Sequence, residues 1–440
     1  MASETDRTSV ARPPAHRVAS TPLADLRGEA TKCSRCGFCQ PTCPIYRVTG
    51  REAHVARGKN FLFRKMAEGT LSVEPDFREA FDNCLLCRAC TANCFPEVRT
   101  DSLVIAFREA YAARWGRPRV QRLLFRTLLP RPALVRAAFY ATWRSGAPRV
   151  ARAAGRGGVL EMLNPKMNMA ARLVADSPLP FLRDRLQHME LRPRKRSLRV
   201  GYWLSCGYNY MLPEVGVDTV RVLLALGAEV VPLENNCCGL PVLGYGDRAA
   251  ARMLAKRNLW RLRRFSELDY VVSECGSCSS HLKEYGALLA EDEECATSAK
   301  ALSERTRSFS ELVVELGGEL PLRQLQRRVT YHDPCHMTAR YQGVTEQPRA
   351  LIKSIPGVAF SELDESDSCC GAAGSYNVLH PDISSGILQR KARKIAESEA
   401  ELVVTECPSC LMQLSLGARE HAPQVTVLGI SQLLAGALES

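Results

Sequence analysis

Two stretches, Thr31-Lys-Cys-Ser-Arg-Cys-Gly-Phe-Cys-Gln-Pro-Thr-Cys-Pro44 and Asn83-Cys-Leu-Leu-Cys-Arg-Ala-Cys-Thr-Ala-Asn-Cys-Phe-Pro96, set eight cysteines in two runs of one form. Cys33, Cys36, Cys39 and Cys43 make the first run. Cys84, Cys87, Cys90 and Cys94 make the second, whose proline falls one place late. The spacing C-x2-C-x2-C-x3-C suits two four-iron cubes: three crowded thiolates hold three irons of one cube, and the fourth crosses to the other. With that crossing, Cys33, Cys36, Cys39 and Cys94 bind one 4Fe-4S cluster, and Cys84, Cys87, Cys90 and Cys43 bind the second. A pair of zinc sites is the alternative. Structural zinc takes four ligands grouped in two pairs, so eight evenly crowded thiols exceed its need. Electron transfer is the starting expectation.

This is the spacing of bacterial ferredoxins, with the second run starting about fifty residues after the first. Within that insert, Ala56, Phe61, Leu62 and Met66 recur near helical spacing and predict a helix over Val55 to Leu71. The expected module is therefore a small helical ferredoxin rather than a compact pair of hairpins. It runs over residues 23–110, after a disordered arm at 1–22. A chain of 440 residues has room for two or three domains, each with its own core. Glu4, Asp6, Arg7, Pro13 and Pro14 stand where a secretory signal would need an apolar run, which predicts a cytoplasmic protein. In that reducing setting, clustered cysteines are metal ligands rather than disulfides. No stretch approaches the roughly eighteen apolar residues of a membrane span. Any membrane contact is then peripheral, at the inner face of the cell membrane, or made through a partner.

The net charge of +12 is concentrated between Ala112 and Val200, where twenty Arg and Lys face four Asp and Glu. This is a basic linker at 111–197, broken by Pro118, Pro130, Pro132, Pro148, Pro165, Pro178 and Pro180. Short amphipathic helices are expected between the prolines, over Val120 to Leu129 and Ala133 to Trp143. Such helices lie on an anionic membrane or an acidic partner, or else wrap the next domain with one face in solvent. No nucleic-acid motif accompanies the charge, so no nucleic-acid partner is expected.

From Leu198 an internal repeat begins. The first copy, 198–320, reads strand Leu198 to Leu204, Cys206, helix Pro213 to Leu226, strand Glu229 to Leu233 and Cys237-Cys238-Gly239. Helix Arg248 to Phe265, strand Tyr270 to Ser273 and Cys275-Gly-Ser-Cys278 complete it. The second copy, 321–440, reads strand Arg328 to His332, Cys335, a helix, strand Val358 to Leu363 and Cys369-Cys370-Gly371. Helix Asp382 to Glu397, strand Leu402 to Thr405 and Cys407-Pro-Ser-Cys410 follow. In both copies thirty-eight residues separate the paired cysteines from the last C-x2-C. Alternating apolar strands and helices predict parallel sheets covered on both faces, with the cysteines at the carboxyl ends of strands. The glycines after the cysteine pairs let the backbone turn there. The fold class is thus α+β multidomain: a helical double-cluster domain, then a pseudo-twofold α/β domain. Each copy offers five thiols: Cys206, Cys237, Cys238, Cys275 and Cys278 as a third candidate site, and Cys335, Cys369, Cys370, Cys407 and Cys410 as a fourth.

The pattern C-xn-C-C-G-xn-C-x-x-C, twice, behind a double ferredoxin motif, resembles the iron-sulfur subunits of glycolate oxidase and the lactate-utilisation proteins. Heterodisulfide reductase subunits and the anaerobic glycerol-3-phosphate dehydrogenase small subunit share the repeat. Cys369-Cys370-Gly-Ala-Ala-Gly-Ser-Tyr-Asn-Val-Leu-His380-Pro381 and His281-Leu-Lys-Glu-Tyr285-Gly286 resemble the glycolate oxidase branch. The resemblance implies an electron-transfer subunit of an oxidoreductase. It takes electrons from a flavin-binding 2-hydroxy-acid (glycolate or lactate) dehydrogenase partner, in a hetero-oligomer, and passes them toward a membrane quinone or cytochrome. It also implies two 4Fe-4S clusters, with one or two further centres, non-cubane clusters or zinc, in the repeats. Both copies keep all five thiols, so the alternatives are a heterodisulfide reductase-like subunit that reduces a disulfide, or a glycerol-3-phosphate dehydrogenase subunit.

Other residues have plainer readings. Cys295 lies in an acidic, exposed-looking stretch and reads as a structural thiol. His332 and His336 bracket Cys335 and suit hydrogen bonds to cluster sulfur better than ligation, since five thiols are present. His380 reads as a helix cap. Arg35, Arg88 and the basic segment are candidates to offset the charge of the clusters. Gly239, Gly244 and Gly246 follow cysteines rather than a strand, so no flavin or NAD site is expected on this chain.

Overall fold

The computed structural model describes residues 23–156, 159–173, 178–193, 198–265, 267–318 and 320–439; the arm expected at 1–22 lies outside them. A helical N-terminal region precedes two parallel-sheet α/β units.

The N-terminal region is organised by two helices, Ala56–Ala67 and Thr100–Trp115, which pack on each other. Ala56, Asn60, Phe63 and Met66 of the first helix are buried at helical spacing, which makes one stripe of it a core face. That face meets Leu103, Val104 and Phe107 of the second, and Phe107 stacks on Phe81 at 3.8 Å.

The first repeat forms a parallel sheet from β1 (Leu198–Tyr202), β2 (Ala228–Pro232), β3 (Tyr270–Ser273) and β4 (Thr306–Ser308), in the order β2-β1-β3-β4. The second repeats it with β5 (Arg327–Tyr331), β6 (Val358–Phe360), β7 (Leu402–Thr405) and β8 (Thr426–Gly429), in the order β6-β5-β7-β8. All pairings are parallel. Sequence reasoning missed β4 and β8, the last strand of each sheet. β4, Thr-Arg-Ser, carries no apolar residue and β8 has only Val427 and Leu428, so neither shows the apolar run by which the other strands were read.

One apolar core runs through both repeats, from Val200, Val230 and Val272 to Val329, Val403 and Val404. Helix Ile430–Ala437 of the second copy packs on helix Pro213–Ala225 of the first, so neither copy closes its core alone.

The basic segment is a strap. Phe125 packs against Val242 and Leu254, and Trp143 and Phe181 against Tyr210 of the first repeat. Met169 reaches Leu388 and Leu416 of the second. Helices stand at Arg119–Leu123 and Pro132–Arg144, and their outward faces keep Val120, Leu123 and Leu134 exposed. Among the described residues, no helix is long and apolar enough to cross a membrane.

Candidate metal centres

Two cavities open inside the N-terminal region. The first, about 350 Å³, is lined by Cys33, Cys36, Cys39 and Cys94, with Cys90 on its wall. The second, about 430 Å³, is lined by Cys43, Cys84, Cys87 and Cys90. Cys94 thus meets the first run, and Cys43 the second. Local backbone makes this possible. Cys43 sits extended ahead of helix Pro44–Thr49, while Arg35 and Arg88 adopt left-handed conformations that fold each run back on itself.

The most deeply buried of these thiols are hard to ionise alone. Burial, helped by Cys84 and Cys43, pushes Cys90 up to about 12, and burial with Cys335 nearby drives Cys87 well up. A bound metal supplies the missing positive charge and deprotonates a coordinating thiol, so the donor set fits a metal cluster.

One buried cation already faces the second cavity. Lys59, 2% exposed, donates to the His54 carbonyl beside Cys43, Cys84 and Cys90. Burial lowers its pKa, and the three thiols oppose that shift. Sequence reasoning looked to arginines for this role. Arg35 lines the first cavity and lies over Phe61 at 4.7 Å, while Arg88 lines the second and pairs with Asp101 at 2.8 Å under the Tyr341 ring. The sign of Lys59 was in the periodicity: it falls on the same buried stripe as Ala56, Asn60 and Phe63.

In each repeat the five thiols gather beyond the carboxyl ends of the strands. The order β2-β1-β3-β4 puts the loops after β1 and β3 on either side of a topological switch point, where open α/β sheets hold ligands. Cys206 follows β1 and Cys275 follows β3. Gly239 and Gly371 have φ of +99° and +88°, so the turn after each cysteine pair needs glycine.

The thiols form a string of immediate neighbours. In the first repeat it runs Cys206, Cys237, Cys238, Cys278, Cys275. In the second it runs Cys335, Cys369, Cys370, Cys410, Cys407, with Cys370 and Cys410 3.5 Å apart at sulfur. The strings join, because Cys275 neighbours Cys407 across the pseudo-twofold.

The second string also meets the N-terminal region. Cys335 and Cys369 share an apolar cluster with Cys43, Cys87, Ile45, Leu85 and Tyr376. The Tyr376 hydroxyl donates to Asn83 Oδ1 at 2.8 Å. Of the nineteen cysteines, only Cys36 and Cys206 are exposed.

Two groups at this junction escaped sequence reasoning. Glu274 and Glu406 each immediately precede a C-x2-C, and both are buried. Glu274 accepts from the Tyr202 hydroxyl at 2.6 Å, and Glu406 from the Ser310 amide at 3.2 Å. Burial pushes them up to about 7 and about 8, which keeps both largely in the protonated form at acidic pH. Their identical place in the two copies was the available signal.

The remaining candidates separate. His336 Nδ1 lies 3.6 Å from Cys335 Sγ and 3.3 Å from Ser277 Oγ. His332 is fully buried, and burial pushes it down to about 3, so its imidazole is neutral. His380 occupies the N-cap position of helix Pro381–Glu397, but its side chain makes no capping bond; its ring stacks on Tyr376 at 4.5 Å. Cys295 is buried in the shared core despite the exposed acidic residues around it.

The 4Fe-4S dicluster domain matches residues 29–98, and the cysteine-rich domain matches residues 200–283 and 329–415. The chain is 31% identical over 408 residues to the probable glycolate oxidase iron-sulfur subunit of Bacillus subtilis, covering 89% of each chain. It is 28% identical over 397 residues to the glycolate oxidase iron-sulfur subunit of Escherichia coli, covering 88% of this chain and 90% of that one. It is 31% identical over 239 residues to lactate utilization protein A of Oceanobacillus iheyensis, covering 54% of this chain and 96% of that one.

Proposed function

Since the chain belongs to the family of the glycolate oxidase iron-sulfur subunits, we propose that it is the electron relay of a flavin-dependent 2-hydroxy-acid dehydrogenase complex. Electrons come from a flavoprotein partner that oxidises glycolate or lactate, and leave toward a quinone or cytochrome at the membrane. The observation that carries this reading is the unbroken succession of thiols from the N-terminal cavities to the first repeat, with its two exposed cysteines, Cys36 and Cys206, at opposite ends. A relay needs two accessible ends and a covered middle. Clusters held along this path supply one-electron transfer. The protein's part is to fix their spacing, exclude water and balance their charge with Lys59 and Lys391, which is buried near Cys370.

The end at Cys36 has the surface of a docking site. Phe38, 65% exposed, lines the first cavity, and Phe95, 97% exposed, directly follows Cys94 of its wall. Phe95 stands where the late proline of the second run left a place. Exposed aromatic rings beside a redox site suit a partner's apolar surface. Replacing Phe38 and Phe95 with serine should slow electron exchange with the flavoprotein at least tenfold while leaving iron content unchanged. Stopped-flow reduction of the purified chain checks this, and an unchanged rate would move the docking face elsewhere.

The strap gives the reading its membrane side. Arg119, Arg122, Arg149 and Lys166 have no carboxylate in ion-pair reach among the described residues, and they alternate with exposed Val120, Leu123, Val150, Met162 and Leu163. Basic side chains interleaved with apolar ones suit an anionic bilayer surface. The chain should sediment with phosphatidylglycerol vesicles and not with phosphatidylcholine vesicles. Charge reversal at those four positions should abolish the binding.

A second reading rests on the retention of all ten repeat thiols with Cys206 open to solvent: a reductase of a substrate disulfide. Disulfide turnover by the isolated chain would favour it over the relay.

A further inference from the structure

We propose that His332 is a metal ligand of the second repeat, binding through a ring nitrogen the same metal ion as Cys370 and Cys410, and that the two repeats therefore hold chemically different centres. The inference rests on the reading that the second repeat carries a metal, and it assigns that site a donor its thiols do not account for.

A ring nitrogen of His332, Cys370 Sγ and Cys410 Sγ all lie within 4.8 Å of one another, and all three residues are buried. The two sulfurs are 3.5 Å apart. Metal–sulfur bonds of about 2.3 Å and metal–nitrogen bonds of about 2.0 Å put the ligands of one tetrahedral ion roughly 3.5–4 Å from each other. The three donors need only small adjustments to share one ion.

The second observation is independent of the thiols. His332 is 0% exposed, and neither of its ring nitrogens has a hydrogen-bond partner. A buried imidazole with both nitrogens unmatched forgoes the hydrogen bonds that buried polar groups ordinarily make. Its placement is fixed from behind: the His332 amide donates to the Val404 carbonyl at 2.9 Å, one step beyond β5. A metal bond at the nitrogen facing Cys370 and Cys410 resolves the mismatch.

The first repeat is the internal control. Trp203 occupies the equivalent place, three residues ahead of Cys206, and its amide donates to Val272 at 2.9 Å in the same way. An indole has a donor N–H and no lone pair for a metal. Among the described residues the first repeat has no histidine grouped within 4.8 Å of two of its thiols, so the donors it gathers are thiols, whereas the second combines thiols with imidazole. Replacing thiolate by neutral imidazole makes a centre less anionic and raises its reduction potential. If the bound ion is an iron of a cluster, the second repeat, beside Cys87, holds the more readily reduced centre of the two. If it is zinc, the second repeat is a structural joint.

The test uses the full chain purified without oxygen, with 15N-histidine incorporated. Iron and zinc are counted. Nitrogen coordination is then read by electron spin echo modulation for an iron centre or by X-ray absorption for zinc. The expected result is metal beyond the eight irons of the two cubes, with one directly bound histidine nitrogen that is lost in His332→Gln and kept in His336→Gln. The His336 variant is needed because that ring also lies near a thiol. Metal in the second repeat with only sulfur neighbours, or a nitrogen signal that follows His336, overturns the inference and leaves the metal-bearing repeat standing. No metal beyond the two cubes overturns both.

Discussion

In the first cysteine-rich repeat, the two residues after β1 are Trp203 and Leu204; in the second, the same places after β5 hold His332 and Asp333. Around this difference the copies agree closely. Strand order, five thiols, the positive-φ glycine and the buried glutamate before the last C-x2-C all recur. Behind the cysteine pair the first copy places Asn258, a neutral anchor that donates to the Cys237 carbonyl, and the second places Lys391, which donates to the carbonyls of Glu365 and Ser366. The second copy thus carries ionisable groups, His332, Asp333 and Lys391, where the first has Trp203, Leu204 and the neutral Asn258 near its thiols, and the first keeps an exposed Cys206. One scaffold offers two chemically unequal pockets, and the second, through Cys335 and Cys369, is the one that meets the N-terminal thiols.

The largest effect should come from the thiol at that contact. Cys87 lines the second cavity and packs in the cluster that holds Cys335 and Cys369. Cys87→Ala should lose about four irons per chain and stop electron passage between the N-terminal region and the repeats. The exposed Cys206→Ala, at the other end, should leave the iron of the two cubes intact. Iron and sulfide assays on both variants test the contrast. Equal losses would mean that the two ends are not separable.

Next is the charged pair that only the second copy carries. Arg349 clasps Asp333 through two hydrogen bonds of 2.9 and 2.8 Å and also donates to Glu362. Removing one partner of a buried pair strands the other, so Arg349→Ala should cost about 3–5 kcal/mol. Asp333→Leu with Arg349→Met copies the apolar lining of the first repeat and should recover most of that loss. Thermal unfolding of the three proteins decides it, and a double variant as weak as the single would show that the pair does more than fill space.

Much of this was readable in the sequence. The eight N-terminal cysteines and the internal repeat, with its recurring thirty-eight-residue spacing, located every thiol of the string, because ligand spacing is local and a repeat announces itself. The first and second strands and the long helices were legible from their apolar periods. What stayed hidden depends on packing between distant segments. Lys59 reads as an ordinary charged residue until helix Ala56–Ala67 turns it toward Cys43 and Cys84. The contact of Cys275 with Cys407 joins residues 132 positions apart by way of the pseudo-twofold. The exit of His332 toward Cys370 and Cys410, rather than toward its neighbour Cys335, follows from strand direction.

The two copies are also fastened to the N-terminal region differently. The first is held by Arg108, which donates to the Gly244 carbonyl at 2.7 Å and to the carbonyls of Phe81, Asp82 and Cys84 at 2.8–3.0 Å. Arg108→Ala leaves those carbonyls without their charged donor and should cost roughly 2–3 kcal/mol, seen as a lower unfolding midpoint and faster proteolysis of the strap.

The second copy is held by the Arg47–Glu365 ion pair at 2.9 Å and by a neutral bond, and the smallest effect is expected at the neutral one. The Tyr376 hydroxyl donates to Asn83 Oδ1, and the Asn83 amide in turn lies 3.4 Å from His54 Nε2. Tyr376→Phe keeps the ring and its stacking on His380 and removes one hydrogen bond, a loss of about 1 kcal/mol. That is too little to unfold either domain, but it bears on the face where Cys87 meets Cys335 and Cys369. Hydrogen exchange should therefore quicken at Asn83 to Cys90 and at Cys369 to Tyr376, with the first repeat unchanged. Exchange that quickened equally in both repeats would mean that their shared core, and not the contact with the N-terminal region, sets the stability of the second site. The inequality of the copies would then rest on His332 and Asp333 alone.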